Sequence, residues 1–145
     1  MKIRHVLETK TRQGVVTIDE TATMREAVEL LVRNNIGAVV AVSGTQPAGI
    51  LTERDVLRQV ATGGASFLDK SVAEVMTRDI VIGTFDLEVD QAMYTMTEKR
   101  FRHLPIMDEG GLAAIISMGD IVRAQVTVAE TEAHYLRDYI AGGYR

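Results

Sequence analysis

The sequence has no cysteine, so neither a disulfide framework nor a thiolate metal site is available to it. It has no apolar stretch near the roughly 18–20 residues that cross a bilayer, which excludes an integral membrane helix. It also lacks an excess of positive charge. The net charge of −4 and a pI near 5.4 give no overall pull towards nucleic acid or acidic lipid. An export signal is not expected either, because Met1-Lys2-Ile3-Arg4-His5 leads into the polar run Glu8 to Gln13 and not into an apolar core. The expectation is a cytoplasmic chain. What is present is ordinary: 145 residues, 46% hydrophobic and 25% charged, enough for one globular domain or two very small ones.

Recognised catalytic patterns are missing as well. His5, His103 and His134 are isolated, with no second ligand at zinc-site spacing. There is no Walker-type phosphate loop, no G-x-G-x-x-G and no G-x-S-x-G elbow. Ser117, Asp120 and His103 suggest a triad only by inventory, since the serine is accounted for as a helix cap and nothing places a base beside it. The reading is not an enzyme, with no catalytic cofactor and no metal. The seven methionines sit mostly at apolar periodic positions and read as core filling.

The sequence does contain a repeat. Sliding it by 65 positions brings Ala27 onto Ala92, Thr52 onto Ser117, Asp55 onto Asp120 and Arg58 onto Arg123 without a gap. Two copies result, with cores at 15–62 and 80–126. In each the hydrophobic period changes in the same order. Val15-Val16-Thr17-Ile18 and Ile80-Val81-Ile82 read as short buried strands. Thr23 and Glu26 form a capping-box signal ahead of the helical face Met24, Ala27, Val28, Leu31, answered later by Val89, Ala92, Met93, Met96. Two short apolar strands follow, Ala38 to Val42 and Ala48 to Leu51, around a turn of Ser43 to Pro47, with Gly110-Gly111 in the matching place. Thr52 and Ser117 then open the closing helices. Each copy therefore reads strand, helix, strand, strand, helix.

Gly63-Gly64 marks a break before a connector. There Ser71 and Glu74 stand at capping-box spacing, and the counterpart of Asp69 to Met76 is expected 65 residues earlier, near Arg4 to Thr11. Thr127 to Ile140 has no equivalent in the first copy and reads as a helix with Tyr135, Leu136, Tyr139 and Ile140 on one side. The domain reading is 1–68, 69–126 and a helical tail 127–145. So short a unit buries little alone, so the two copies are expected to pack through their sheet faces.

The run Gly49-Ile50-Leu51-Thr52-Glu53-Arg54-Asp55, followed by Ile115-Ile116-Ser117-Met118-Gly119-Asp120, resembles the closing motif of cystathionine-β-synthase (CBS) domains. Arg102-His103-Leu104-Pro105-Ile106 and Val75-Met76-Thr77 are similar to other parts of that family's pattern. The resemblance implies a stand-alone CBS pair, or Bateman module, of α/β (α+β type) fold with pseudo-twofold symmetry. It further implies a regulatory sensor that binds an adenosine nucleotide in the clefts between the repeats and signals by conformation or dimer state. AMP is the first candidate, then ADP or ATP. Partners implied are a homodimer mate and an unidentified enzyme or transporter, without nucleic acid or membrane. Alternatives are a sensor of NAD or S-adenosylmethionine, and a dimerisation scaffold with a vestigial site.

By spacing alone, Thr52 and Ser117 are helix N-caps with an acidic residue in the first turn. Within the resemblance they become ribose contacts, Asp55 and Asp120 accepting from the two ribose hydroxyls. One site then combines Asp120, Ser117, Gly119 and Ile115 with Thr11, Val16, Ile36 and Gly37, and places Arg102 and His103 near phosphate. The other combines Asp55, Thr52, Arg54 and Ile50 with Met76, Val81, Phe101 and Arg102. Lys99 and Arg100 are read as solvated complements of a helix C-terminus. Asn35 to Ala38 carry no positive side chain, Ala114 replaces the glycine of position 49, and Gly119 stands where the first copy has Arg54, so the two sites are expected to be unequal.

Overall fold

A computed structural model describes residues 1–10 and 14–142. The elements are α1 (Ile3–Thr9), β1 (Thr17–Asp19), α2 (Met24–Asn34), β2 (Ala38–Ser43), β3 (Gln46–Thr52), α3 (Glu53–Gly63), a 3-10 turn (Gly64–Asp69), α4 (Val72–Val75), α5 (Val89–Lys99), β4 (His103–Asp108), β5 (Gly111–Ser117) and α6 (Met118–Ile140). They make a mixed α/β fold with two small sheets, β1-β2-β3 and β4-β5.

The described chain falls into two compact units. One holds residues 14–82 and 105–114. Its sheet pairs β1 with β2 in parallel (Thr17 opposite Val40) and β2 with β3 antiparallel (Val39 opposite Leu51). Helix α2 starts where Thr23 Oγ1 accepts from the Glu26 N–H at 3.2 Å and the Glu26 carboxylate accepts from the Thr23 N–H at 3.2 Å. It buries Met24, Ala27 and Leu31, one helical stripe, in a core with Val39, Ala41, Leu51, Phe67, Val72 and Met76. It ends at Asn35, whose left-handed backbone (φ 51°) turns the chain towards β2.

The other unit takes in residues 1–10, 83–104 and 115–142 of the described chain. Its buried apolar residues include Ile3 and Val6 of α1, Val89, Ala92 and Met96 of α5, Ile116 of β5, and Ile121 and Ala124 of α6. Helix α1 lies against α6.

Three local expectations differ from what is found. Residues 80–82 form no strand: Ile82 is 52% exposed, and the segment just beyond bonds to the chain start, with Ile3 N–H donating to Leu87 O at 2.9 Å and Arg4 N–H to Phe85 O at 3.0 Å. The connectors match at an offset of 69, not 65. Val72 N–H donates to Ala22 O and Ala73 N–H to Glu20 O just as Ile3 and Arg4 donate to Leu87 and Phe85, the acceptors being 65 apart and the donors 69. The segment after Val126 is no separate element but the second half of α6, which runs unbroken because no glycine or proline follows Gly119 of its first turn.

Candidate functional site

In each repeat a buried strand passes into a helix with no loop between. Thr52 ends β3 and caps α3; Ser117 ends β5 and caps α6, both with extended backbone. The carboxylate three residues on closes a capping box. Asp55 Oδ2 accepts from the Thr52 N–H at 2.8 Å while Thr52 Oγ1 accepts from the Asp55 N–H at 3.3 Å. The second turn repeats this with Ser117 N–H to Asp120 Oδ2 at 2.8 Å and Asp120 N–H to Ser117 Oγ at 3.0 Å. The first amide of each helix is also taken, Glu53 N–H by Gly37 O at 3.0 Å and Met118 N–H by Arg102 O at 2.9 Å.

The hydroxyl and these amides are thus engaged in the cap. What each turn retains is its second carboxylate oxygen, facing Arg58 across 3.9 Å in one case and Arg123 across 3.4 Å in the other. Among the described residues, Asp55 and Asp120 are the buried charged side chains, each 9% exposed. Burying a charge is costly unless it is well bonded, and the cap bonds and arginine partners meet that cost in both turns.

The turns are not electrostatically alike. Lys10, following α1, sets its ammonium 3.1 Å from Asp120 Oδ2 and donates to the Ile115 carbonyl at 2.5 Å. Burial pushes the Asp120 carboxyl up, but the Ser117 N–H, the Lys10 charge and hydrogen bond and the Ser117 hydroxyl outweigh it, so the group lies below the usual carboxylate range. Lys10 was not foreseen from the sequence. The pair Ile3 and Val6 matching Val72 and Val75 at offset 69 was the signal that α1 extends further than its counterpart.

Around Asp55, the unit of residues 14–82 brings together Thr52, Arg54, Ile50 and Met76. Ile50 exchanges two backbone hydrogen bonds of 2.9 Å with Thr77, and Met76 is buried beside Gly49. Arg54 is exposed, and Val81 is half-buried outside any strand. Gly37, expected with Asp120, is bonded in this unit to the Asp55 turn, and Val16 and Ile36 are half-buried here too. Around Asp120, the other unit holds Ser117, Gly119, Ile115, Arg102 and His103. Arg102 is exposed and tied to the turn through its carbonyl, and His103 is half-buried at the start of β4. Phe101, expected with Asp55, lies in this unit and donates its N–H to Met96 O at 3.1 Å. Thr11 lies outside the described residues.

A family model for the CBS domain matches residues 3–62 and 72–127. The CBS domain-containing protein CBSX3, mitochondrial, of Arabidopsis thaliana is 39% identical over 133 residues, 88% of this chain and 64% of that protein's length. The crystal structure of the CBS-domain containing protein ATU1752 from Agrobacterium tumefaciens superposes with a TM-score of 0.81 at 38% identity, covering 86% of this chain and 99% of that one. Two more distant structures share the fold. PAE2072 of Pyrobaculum aerophilum was solved with AMP (TM-score 0.70, 24% identity, 83% and 89% covered), and the CBS pair of MJ0100 with 5′-methylthioadenosine and S-adenosyl-L-methionine (0.74, 22%, 85% and 94%). Among the described residues no helix is long and apolar enough to cross a membrane. The paired Thr/Ser–Asp turns, the shared backbone closure beneath them and the two matched segments make this chain a member of the CBS domain family, carrying two repeats.

Proposed function

We propose that the chain is a non-catalytic regulatory module that binds an adenosine nucleotide at its Thr52–Asp55 and Ser117–Asp120 turns, AMP being the first candidate and ADP or ATP the next. The observation that carries this reading is the pair of buried carboxylates at matching positions in the two repeats. A ribose diol offers two donors to one carboxylate, which is the ligand chemistry that such a group accepts. The AMP and adenosyl ligands held by PAE2072 and MJ0100 support the class. The clefts between the repeats belong to the same proposal. Val16, Ile36 and Gly37 would complete the Asp120 site, and Phe101 and Arg102 the Asp55 site, with Arg102 and His103 near phosphate.

Thermal unfolding against AMP, ADP, ATP, NAD and S-adenosylmethionine tests the proposal. A ligand that binds only the folded state adds about 2.7 kcal/mol at a hundredfold excess over its dissociation constant. The expected result is a selective upward shift, lost in the double variant Asp55→Asn/Asp120→Asn, in which the amide oxygen keeps the cap. No shift with any adenosyl compound leaves the scaffold reading, favoured by the exposed Leu57 and Val60 on α3 and Val122 and Val126 on α6. On either reading the exposed apolar face of α3 and that of α6 are each proposed as a homodimer contact, which sedimentation velocity checks. A cytoplasmic site of action is part of the proposal, and fractionation decides it against the mitochondrial name of the plant relative.

A further inference from the structure

The connectors make the two turns unequal. Helix α1 has seven residues and α4 four, and the longer helix delivers a different residue to its turn. The residue that caps α4 is Met76, apolar and packed beside Gly49. The residue that caps α1 is Lys10, whose ammonium bridges the Ile115 carbonyl and Asp120 Oδ2. The same isoleucine carbonyl in the first repeat, that of Ile50, takes the Thr77 N–H instead. Both aspartates have an arginine three residues on, so among the described residues Lys10 is the cation that distinguishes them.

We infer that Lys10 is a built-in occupant of the Asp120 turn that an adenosyl ligand must displace, so that the Asp55 turn is the tighter site and fills first. This rests on the ligand reading given above. A ribose diol that uses both oxygens of Asp120 reaches Oδ1 past Arg123 with one hydroxyl, but with the other it meets Oδ2, which already accepts from the Ser117 N–H and from Lys10, and there it competes with an ammonium that carries full charge. Lys10 and Asp120 are largely buried (side chains 15% and 11% exposed), so salt screens their attraction little. Among the described residues, a ligand at Asp55 has no ammonium to remove and meets the weaker 3.9 Å approach of Arg58.

Isothermal titration with AMP, and with the other four compounds in turn, on the full chain tests this. The wild type should bind in two steps, Asp55→Asn removing the tighter and Asp120→Asn the weaker. Lys10→Gln should tighten the weaker step roughly three- to tenfold, the equivalent of losing one partly screened ion pair, and leave the tighter step unchanged. Lys10→Arg, which keeps a cation there, should not tighten it. A weaker step that is unchanged or loosened in Lys10→Gln overturns the inference while leaving ligand binding intact. No heat from any compound with any variant, Lys10→Gln included, overturns the ligand reading itself. The contact has its own readout: the carboxyl carbon of Asp120, followed by NMR, should titrate at higher pH in Lys10→Gln, and an unmoved titration rejects Lys10 as the occupant whatever binds.

Discussion

A methyl group on Gly49 would stand 2.7 Å from both the Met76 sulfur and the Thr77 carbonyl oxygen. The sulfur has room to rotate away, but the carbonyl is held by the bridge between Ile50 and Thr77, so Gly49→Ala must push the connector off β3. We expect a loss of about 1–3 kcal/mol in urea unfolding, the usual range for overpacking a closed contact. A loss under about 0.3 kcal/mol would mean that the connector yields freely. At Asp120 the consequence is a pH dependence. A carboxylate whose folded pKa is depressed adds stability above its unfolded value of about 3.9, and loses it as pH falls through the folded value. Removing the cation by Lys10→Met raises that folded pKa. The variant should therefore be about 1 kcal/mol less stable at neutral pH, with the gap closing below roughly pH 4. A gap that stays constant from neutral to acid pH would assign the effect to packing of the lysine stem instead. Of the site, the two Thr/Ser–Asp turns were legible in the sequence because a capping box is a four-residue event. Lys10 was not, because its partner lies over a hundred residues away and depends on the length of α1.

Helices α2 and α5 end alike, at Asn35 and Arg100, both with left-handed backbone (φ 51° and 57°) and both donating their N–H to the last turn. Asparagine tolerates that conformation and arginine does so at a cost. Arg100→Gly should therefore stabilise the fold by about 0.5–1 kcal/mol, whereas Asn35→Gly should change little. Equal effects at both positions in a melting experiment would show that something other than backbone strain governs them. The same repeat logic explains which elements the sequence disclosed. Capping boxes at Thr23, Thr52, Ser71 and Ser117, and the chain reversals at Gly44 and Gly111, are local and stand where the spacing put them. The strand expected at Ile80-Val81-Ile82 had β-branched residues but needed a neighbouring strand, which propensity alone does not supply. The connector register failed for a related reason. A gapless repeat of 65 spans strand to closing helix, while a helix one turn longer shifts everything before it.

Across the whole chain the repeats share a turn, a cap and a backbone closure, yet α6 continues past the point where α3 stops at Gly63. That continuation carries Tyr135, Leu136, Tyr139 and Ile140 at exposures of 54%, 56%, 63% and 82%. As the exposed end of α6 this stretch needs no nucleus of its own, but helical stability comes mostly from packing of an apolar face, and turns that lack it fray. Thr127 and Thr131 turn their hydroxyls back onto the carbonyls of Arg123 and Thr127, a bonding mode that favours bending over stiffness. Such a stretch keeps its helix only where its apolar side is covered, and the proposed homodimer offers that cover. Hydrogen exchange of the amides of 130–140 should therefore slow with rising protein concentration, in step with dimer formation measured by sedimentation, while the amides of Ile116 and Ile121 stay equally protected throughout. Truncation after Val126 should weaken association yet leave the unfolding midpoint within a few degrees, since the segment removed adds little buried surface. Protection of 130–140 that is unchanged over about a hundredfold dilution through the dimer dissociation range would show that the extension holds its helix without a second copy, and would remove it from the dimer surface.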